Sequence, residues 1–496
     1  MKLPYYKALA GAVNANIQAG RGGACTTYYS AFDPEAEVLT MAQNPRTPTD
    51  KQNRDLHFAM MSNRFMGKKV MSNESFFTFN THTAPDLMKA FYSGDQDEFE
   101  RIYNKYEADP AFKKNYVNAR DYIGKALVQG FEVGTNYLAF IDEINRHTPY
   151  KEPIYSSNLC LEITQPTSPY FDMQDLYSAT DHGRGEVSLC SLAGIVECNI
   201  ENDSQYESAT YYALKMIDYC IHQSEYPLPH VGFTAKQRLN AGIGILGVAT
   251  TMARANLKYD TKEGLQKIHD IKERHAYYCI SASLRLGKER GNAPWIHKTK
   301  WPEGWLPIDT YKRTVDELVP PVYKYDWETL RSKIVANKGI RNSSVMADMP
   351  TESSSKASGI PNSLYPIRDL SIKKSDGSNV VDWCAVDGDI LGDKYQPAWA
   401  IDSVDMIKVY AVAQKWTDQA ISADLWKDRS TDINLSKKVL INEYLTMIKY
   451  GMKTRYYQNS LTGSQSSASI AKYEETPLVT EVVVKERGCS GGVCDI

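Results

Sequence analysis

Asn158, Cys160 and Glu162 stand at alternate positions in Ser156–Gln165, SSNLCLEITQ, with Leu159, Leu161 and Ile163 between them. In an extended segment, residues i, i+2 and i+4 share one face. An amide able to hold hydroxyl groups, a sulfur atom and a potential general base would then meet in one small volume, with the aliphatic residues packed behind them. The same pattern also suits an edge strand with a polar face, on which a cysteine is a small apolar filler.

Three further stretches could carry chemistry. Two residues short of its end the chain carries Cys489-Ser-Gly-Gly-Val-Cys494. Two thiols on a glycine-rich terminus can pair without strain and exchange with another disulfide. A metal site would need more ligands than this stretch offers, and two idle thiols are the other alternative. A flexible linker of about 30 residues would let the pair reach roughly 30 Å. Tyr456 and Tyr457 in KTRYYQN could relay an electron together with a proton. Alone they say little, because the chain has 33 tyrosines and Tyr-Tyr recurs at 5–6, 28–29, 211–212 and 277–278. Met349–Ser355, MPTESSS, offers hydroxyls and backbone amides after a proline. If a helix starts there its N-terminus suits a phosphate; simple capping gives the same pattern.

One motif points the wrong way. GIGILG (Gly242–Gly247) matches G-x-G-x-x-G, but TAKQRLN before it does not read as a buried strand, and helical sequence is expected to run through it. The dinucleotide fingerprint needs strand, turn and helix in that order. The nine histidines fall into no close ligand pattern, so no metal site is expected.

The elements that must position these groups read as follows. Residues 1–20 read as a helix broken by QAGRGGA (Gln18–Ala24). Residues 83–130 carry amphipathic helical patterns, and Thr135–Ile141, TNYLAFI, reads as a buried strand. GEVSLCSLAGI is a second strand candidate; 205–290 is largely helical, 340–372 is a polar loop region, and 399–422 and 434–452 are helical. After Asn459 the composition turns polar and serine-rich, which predicts a mobile tail. Strands interleaved with helices favour an α/β fold. With 496 residues, 42% of them hydrophobic, the chain can bury a large core. Its 57 basic and 60 acidic residues balance, with no long basic run, so no nucleic-acid partner is expected. There is no 18-residue apolar run and no export-signal core near Met1, so neither a membrane span nor export is expected. The nine scattered cysteines fit a reducing, cytoplasmic setting unless they are catalytic.

In order along the chain, SNLCLEI, GEVSLCSL, LPIDTYK (Leu306–Lys312), MPTESSS, KTRYYQNS and the terminal CSGGVC resemble the large, catalytic subunit of class I ribonucleoside-diphosphate reductases, from about Leu3 to Ile496. The resemblance implies a ten-stranded α/β barrel with a central finger loop. It implies a catalytic portion over 1–458 and a redox-active tail over 459–496. Cys160 would carry a transient thiyl radical that takes the ribose 3′ hydrogen. Glu162 would accept the 3′-hydroxyl proton, and Asn158 would hold the sugar hydroxyls. Cys190 would be one of two reducing thiols. Tyr457 and then Tyr456 would pass the radical inward from a small subunit, of the di-iron/tyrosyl kind, with no cofactor bound in this chain. Cys489 and Cys494 would re-reduce the site and be recharged by thioredoxin or glutaredoxin. Thr351, Glu352, Ser353 and Ser354 would hold the substrate's diphosphate. Gln18 and Arg21 would read the allosteric specificity site.

The family's large subunit is longer at its N-terminus. There it carries an ATP-binding cone, much of the site for ATP and deoxynucleotide effectors, and the first barrel strand with the second reducing cysteine. Cys25 matches no redox position. The expectation is therefore an incomplete barrel: the C-terminal part of a split subunit, active only with a complementing N-terminal polypeptide. Asn362–Leu370, NSLYPIRDL, also departs from the family's Asn-Gly-Ile-Glu-Pro-Pro-Arg, with Ser363 and Tyr365 in place of Gly and Glu. The alternatives are a decayed fragment that only binds or scaffolds a partner, or a stand-alone thiol–disulfide protein using the tail pair.

Overall fold

Eight strands position the residues of interest: β1 (Thr26–Ser30), β2 (His57–Ser62), β3 (Asn136–Phe140), β4 (Leu192–Val196), β5 (Gly242–Leu246), β6 (Leu425–Asp428), β7 (Thr454–Arg455) and β8 (Gln458–Leu461). The structure is a computed structural model that describes residues 2–18, 21–375, 380–428 and 436–461. One sheet has the order β7-β3-β2-β1. Its strands β1, β2 and β3 run parallel, and β7 is antiparallel to β3. All five residues of β3 are buried, as befits a central strand covered on both faces. Helices Ala119–Val133 and Lys437–Tyr450 pack together, the first also against β3.

Beyond this sheet, β4 pairs in parallel with β5, and β6 with β8. Parallel bridges continue from Ile243 of β5 to Met346, and from Asp348 to Ile421. Long helices lie outside, Asp203–Gln223 against Lys262–Arg290 and the latter against Ser403–Gln414. The chain is thus α/β. Among the described residues the strands do not close into a continuous ring.

Three sequence expectations need correction. The first helix stops at Asn14, and an antiparallel hairpin follows in which Ile17–Gln18 pairs with Arg21–Gly22. GIGILG is no helix: Gly242–Leu246 is the fully buried strand β5. Its glycines allow close backbone packing. A Cβ on Gly244 would stand 2.7 Å from the Ala347 carbonyl oxygen, and one on Gly242 would stand 2.7 Å from a Leu192 methyl. Because the first two glycines lie inside the strand, the dinucleotide fingerprint fails for a reason different from the one read in the sequence. Third, the helix expected over 399–422 ends at Gln414. The Gln414 side chain donates to the carbonyls of Thr417 and Gln419, and the chain turns before it reaches β6. The buried Lys453 ammonium donates to the Asp418 carbonyl, and Asp418 accepts from the backbone of Val345 and Met346. These contacts fix the path of residues 417–419.

Candidate active site

Ser156–Gln165 is not an extended strand. The chain turns at Leu159–Cys160; the Leu161 N–H donates to the Asn158 carbonyl at 3.4 Å, and Leu161 has φ +70°. A left-handed leucine costs about 1–2 kcal/mol. Fully burying its side chain returns roughly 2 kcal/mol, and Leu161 is fully buried among Ala59, Tyr137 and Tyr456. Three successive carbonyls of the turn are tethered. Tyr28 Oη donates to Asn158 O at 2.6 Å, Thr26 Oγ1 to Leu159 O at 2.9 Å, and Ser422 Oγ to Cys160 O at 2.6 Å. Asn158 Oδ1 accepts from the Ile163 N–H at 3.1 Å, which closes the loop.

The turn brings together the groups that alternation alone was expected to align. Asn158 Nδ2 donates to Glu162 Oε1 at 2.9 Å and lies 3.5 Å from Cys190 Sγ. Tyr456 Oη lies 3.4 Å from Cys160 Sγ. Cys190 stands two residues before β4, not within a strand as GEVSLCSLAGI suggested. The Tyr456 and Tyr457 rings are 4.2 Å apart, centroid to centroid. Tyr137 packs against both, at 4.8 and 5.5 Å, while its hydroxyl meets His57 Nδ1 at 2.9 Å.

Burial sets the electrostatics. It raises the Glu162 carboxyl from 4.5 to about 7, against the pull of hydrogen bonds from Asn158 and Ser422. It holds the Cys160 thiol and the Tyr456 phenol far above their ordinary values, the thiol further through the Glu162 charge. Cys190 is open to solvent on one side, yet the protein around it, with the Glu162 carboxylate, pushes its thiol up to about 12. Burial also raises Asp424 to about 7, although the carboxylate accepts from Tyr457 N and Asn459 Nδ2, both at 3.2 Å.

The other predicted positions divide into three groups. A helix does begin in MPTESSS, as Glu352–Ser358 with Thr351 before it. Thr351 donates from N and Oγ1 to Asn362 Oδ1 at 2.7 and 2.9 Å, and the Ser363 N–H donates to Thr351 Oγ1. Asn362 Nδ2 donates to Glu352 Oε2 at 2.8 Å, so the start of this helix, which carries Ser353 and Ser354, is built against NSLYPIRDL. Gln18 and Arg21 are register partners in the backbone of the hairpin that precedes β1. Cys489 and Cys494 lie outside the described residues. Sequence reading missed Ser422, Tyr28, Tyr137 and Tyr365. Ser422 sat in a stretch read as helix. The three tyrosines carried no signal beyond aromatic abundance, although Tyr365 stands at a departure from the family pattern.

The family model of the ribonucleotide reductase barrel domain matches residues 2–458. The chain is 33% identical to the ribonucleoside-diphosphate reductase subunit alpha of Haemophilus influenzae over 501 residues, covering 100% of this chain and 63% of that protein. It is 32% identical to the ribonucleoside-diphosphate reductase 1 subunit alpha of Escherichia coli, covering 100% of this chain and 64% of that protein. The corresponding subunit of Enterobacteria phage T4 is 30% identical over 93% of this chain and 61% of its own length. The chain therefore spans just under two thirds of the length of these curated relatives. With its cysteine turn, paired tyrosines and carboxylate in one buried cluster, the chain belongs to the ribonucleotide reductase family.

Proposed function

We propose that this chain carries the catalytic residues that reduce ribonucleoside diphosphates to deoxyribonucleoside diphosphates through a thiyl radical on Cys160. The observation that carries the reading is the 3.4 Å contact between Tyr456 Oη and Cys160 Sγ beside Glu162, Asn158 and Cys190. In this reading the parallel strands belong to a ten-stranded barrel, and the Cys160 turn is its finger loop.

A small radical-generating subunit of the di-iron/tyrosyl kind oxidises Tyr457, which in turn takes a hydrogen atom from Tyr456. The Tyr456 phenoxyl then takes the hydrogen of the Cys160 thiol, re-forming the phenol and leaving a thiyl radical. Because burial disfavours both the phenolate and the thiolate, electron and proton leave each group together. The thiyl abstracts the ribose 3′ hydrogen while Glu162 accepts the 3′-hydroxyl proton. Cys190 protonates the departing 2′-hydroxyl, which leaves as water. Cys190 and a second thiol then supply two electrons as they form a disulfide, the second thiol's hydrogen going to C2′ while Glu162 returns its proton to the 3′ oxygen. Cys160 finally returns its hydrogen to C3′. The raised Cys190 thiol keeps its proton until this step. The shielded site keeps the radical from water.

The second thiol comes from sequence outside these 496 residues, which a complementing N-terminal polypeptide would supply. Thr351, Glu352, Ser353 and Ser354 hold the diphosphate, and Gln18 and Arg21 sense the specificity effector. Cys489 and Cys494 reduce the spent disulfide and are recharged by thioredoxin or glutaredoxin. The test is reconstitution with the complementing polypeptide, a small subunit and a reductant. Deoxynucleoside diphosphate should form with the native chain and none with Cys160→Ala; full product with Cys160→Ala would end this reading.

A further inference from the structure

Ser422 lies between the two groups on which the chemistry depends. Its Oγ is 2.6 Å from the Cys160 carbonyl oxygen and 3.1 Å from Glu162 Oε2. Its backbone is fixed on both sides: the N–H donates to Asp348 O at 2.9 Å, and the carbonyl accepts from Tyr365 Oη at 2.5 Å. Ser422, Glu162 and Tyr365 are all buried. A serine hydroxyl has one proton to donate and lone pairs to accept with. When Glu162 is ionised, two acceptors compete for that one proton. When Glu162 carries a proton on Oε2, it donates to Ser422 Oγ, and the serine proton goes undivided to Cys160 O.

We propose that Ser422 is a positioning residue that links the proton on Glu162 to the tether of the Cys160 turn. The inference rests on the reading above, and gives it a proton count. As Glu162 accepts the 3′-hydroxyl proton, the serine's donor bond commits to the turn that bears the sulfur. The turn is thus held most firmly while the substrate radical exists, and loosens its tether when Glu162 ionises again. No oxidant or further reactant enters the step: one proton arrives on Glu162, and the Ser422 proton changes only its acceptor. Among the described residues, the Cys160 and Cys190 thiols and the Tyr28 and Tyr365 phenols feel the Glu162 charge; all four are held above their ordinary values and stay neutral over the pH range in which Glu162 titrates. Asp424, two residues from Ser422, acts on Cys160 and Tyr365 as well and is itself raised to about 7, so the Glu162→Gln assignment is what separates the two carboxyl bands.

The test reads Glu162 directly. Infrared difference titration of the full chain follows the protonated carboxyl band, assigned by its loss in Glu162→Gln. Removing a hydroxyl donor from the ionised carboxylate in Ser422→Ala should move the Glu162 midpoint upward by about one pH unit. Ser422→Thr should restore it. Ser422→Cys, nearly the same size and a weaker donor, should give a smaller upward shift and covers the case in which the alanine variant folds poorly. In the reconstituted enzyme, the acid limb of kcat should move with the infrared midpoint. An unchanged midpoint in both the alanine and cysteine variants would overturn the link between Ser422 and Glu162. A shifted midpoint together with native chain that makes no deoxynucleotide in the full mixture would instead sink the catalytic reading and leave the link standing.

Discussion

The phenol oxygen of Tyr456 and the sulfur of Cys160 lie 3.4 Å apart although 296 positions separate them in the chain. Tyr456 is delivered from just after β7, and Cys160 from a turn tethered by β1 and by Ser422. In the proposed reaction the Tyr456 hydroxyl is the group that passes the radical to Cys160. Tyr456→Phe keeps the ring contact with Tyr457 and Tyr137 and removes only the exchangeable hydrogen. Turnover in the reconstituted mixture should fall by on the order of 10⁴-fold or more, with substrate affinity by equilibrium binding unchanged.

Glu162 sets a pH window for stability as well as for activity. Its carboxyl moves from 4.5 to about 7 on folding, so between those values the folded state holds a proton that the unfolded state has lost. This contribution is fully present below about pH 4.5 and is lost as pH rises through about 7. Glu162→Gln has no such loss, and its amide can donate to Ser422 in place of the acid. The stability of the glutamine variant relative to the native chain should therefore rise by about 2–3 kcal/mol between pH 4.5 and pH 8. Urea unfolding at several pH values measures it. In the proposed reaction the base is ionised Glu162, so native turnover should decline as pH falls through about 7.

Cys190 should be a slow thiol despite its exposure. With its pKa pushed up to about 12, its thiolate fraction at pH 8 is about a thousandfold below that of a free cysteine, partly offset by a more nucleophilic sulfur. Alkylation at pH 8, followed by mass spectrometry of the peptides, should label Cys190 at least about tenfold more slowly than free cysteine. Glu162→Gln removes the neighbouring carboxylate and should speed the labelling.

Leu161 tests the turn itself. Its side chain is fully buried against the Tyr456 and Tyr137 rings. Leu161→Ala should destabilise the chain by roughly 2–4 kcal/mol, and should lower turnover further than a surface variant of equal stability. Leu161→Val, β-branched at a positive φ, should be worse than its small loss of volume implies.

Replacing Cys489 and Cys494 by serine should separate the two reductive routes. Turnover driven by thioredoxin should stop, while a small dithiol that reaches the site directly should still support product formation.

The residue types needed for this chemistry were legible in the sequence. Cys160, Glu162, Asn158, Cys190 and the tyrosine pair could be named from ordered motifs, as could the buried strand at 136–140 and the helix start in MPTESSS. Their short-range geometry was not. Alternation predicted a strand where the chain makes a turn, because only the buried niche for Leu161 compensates a left-handed backbone there. That niche is built by residues far away in sequence: Ala59, Tyr137 and Tyr456. For the same reason GIGILG was misread, since its glycines answer to the Ala347 backbone and Leu192 across neighbouring segments. Ser422 was hidden because helix periodicity continues past Gln414, where side-chain bonds to Thr417 and Gln419 carbonyls end the helix. Local sequence thus determined which chemical groups are present and their order. Tertiary packing alone decided which of them touch, how far burial shifts their protons, and that a single serine hydroxyl stands between the Glu162 carboxyl and the Cys160 carbonyl.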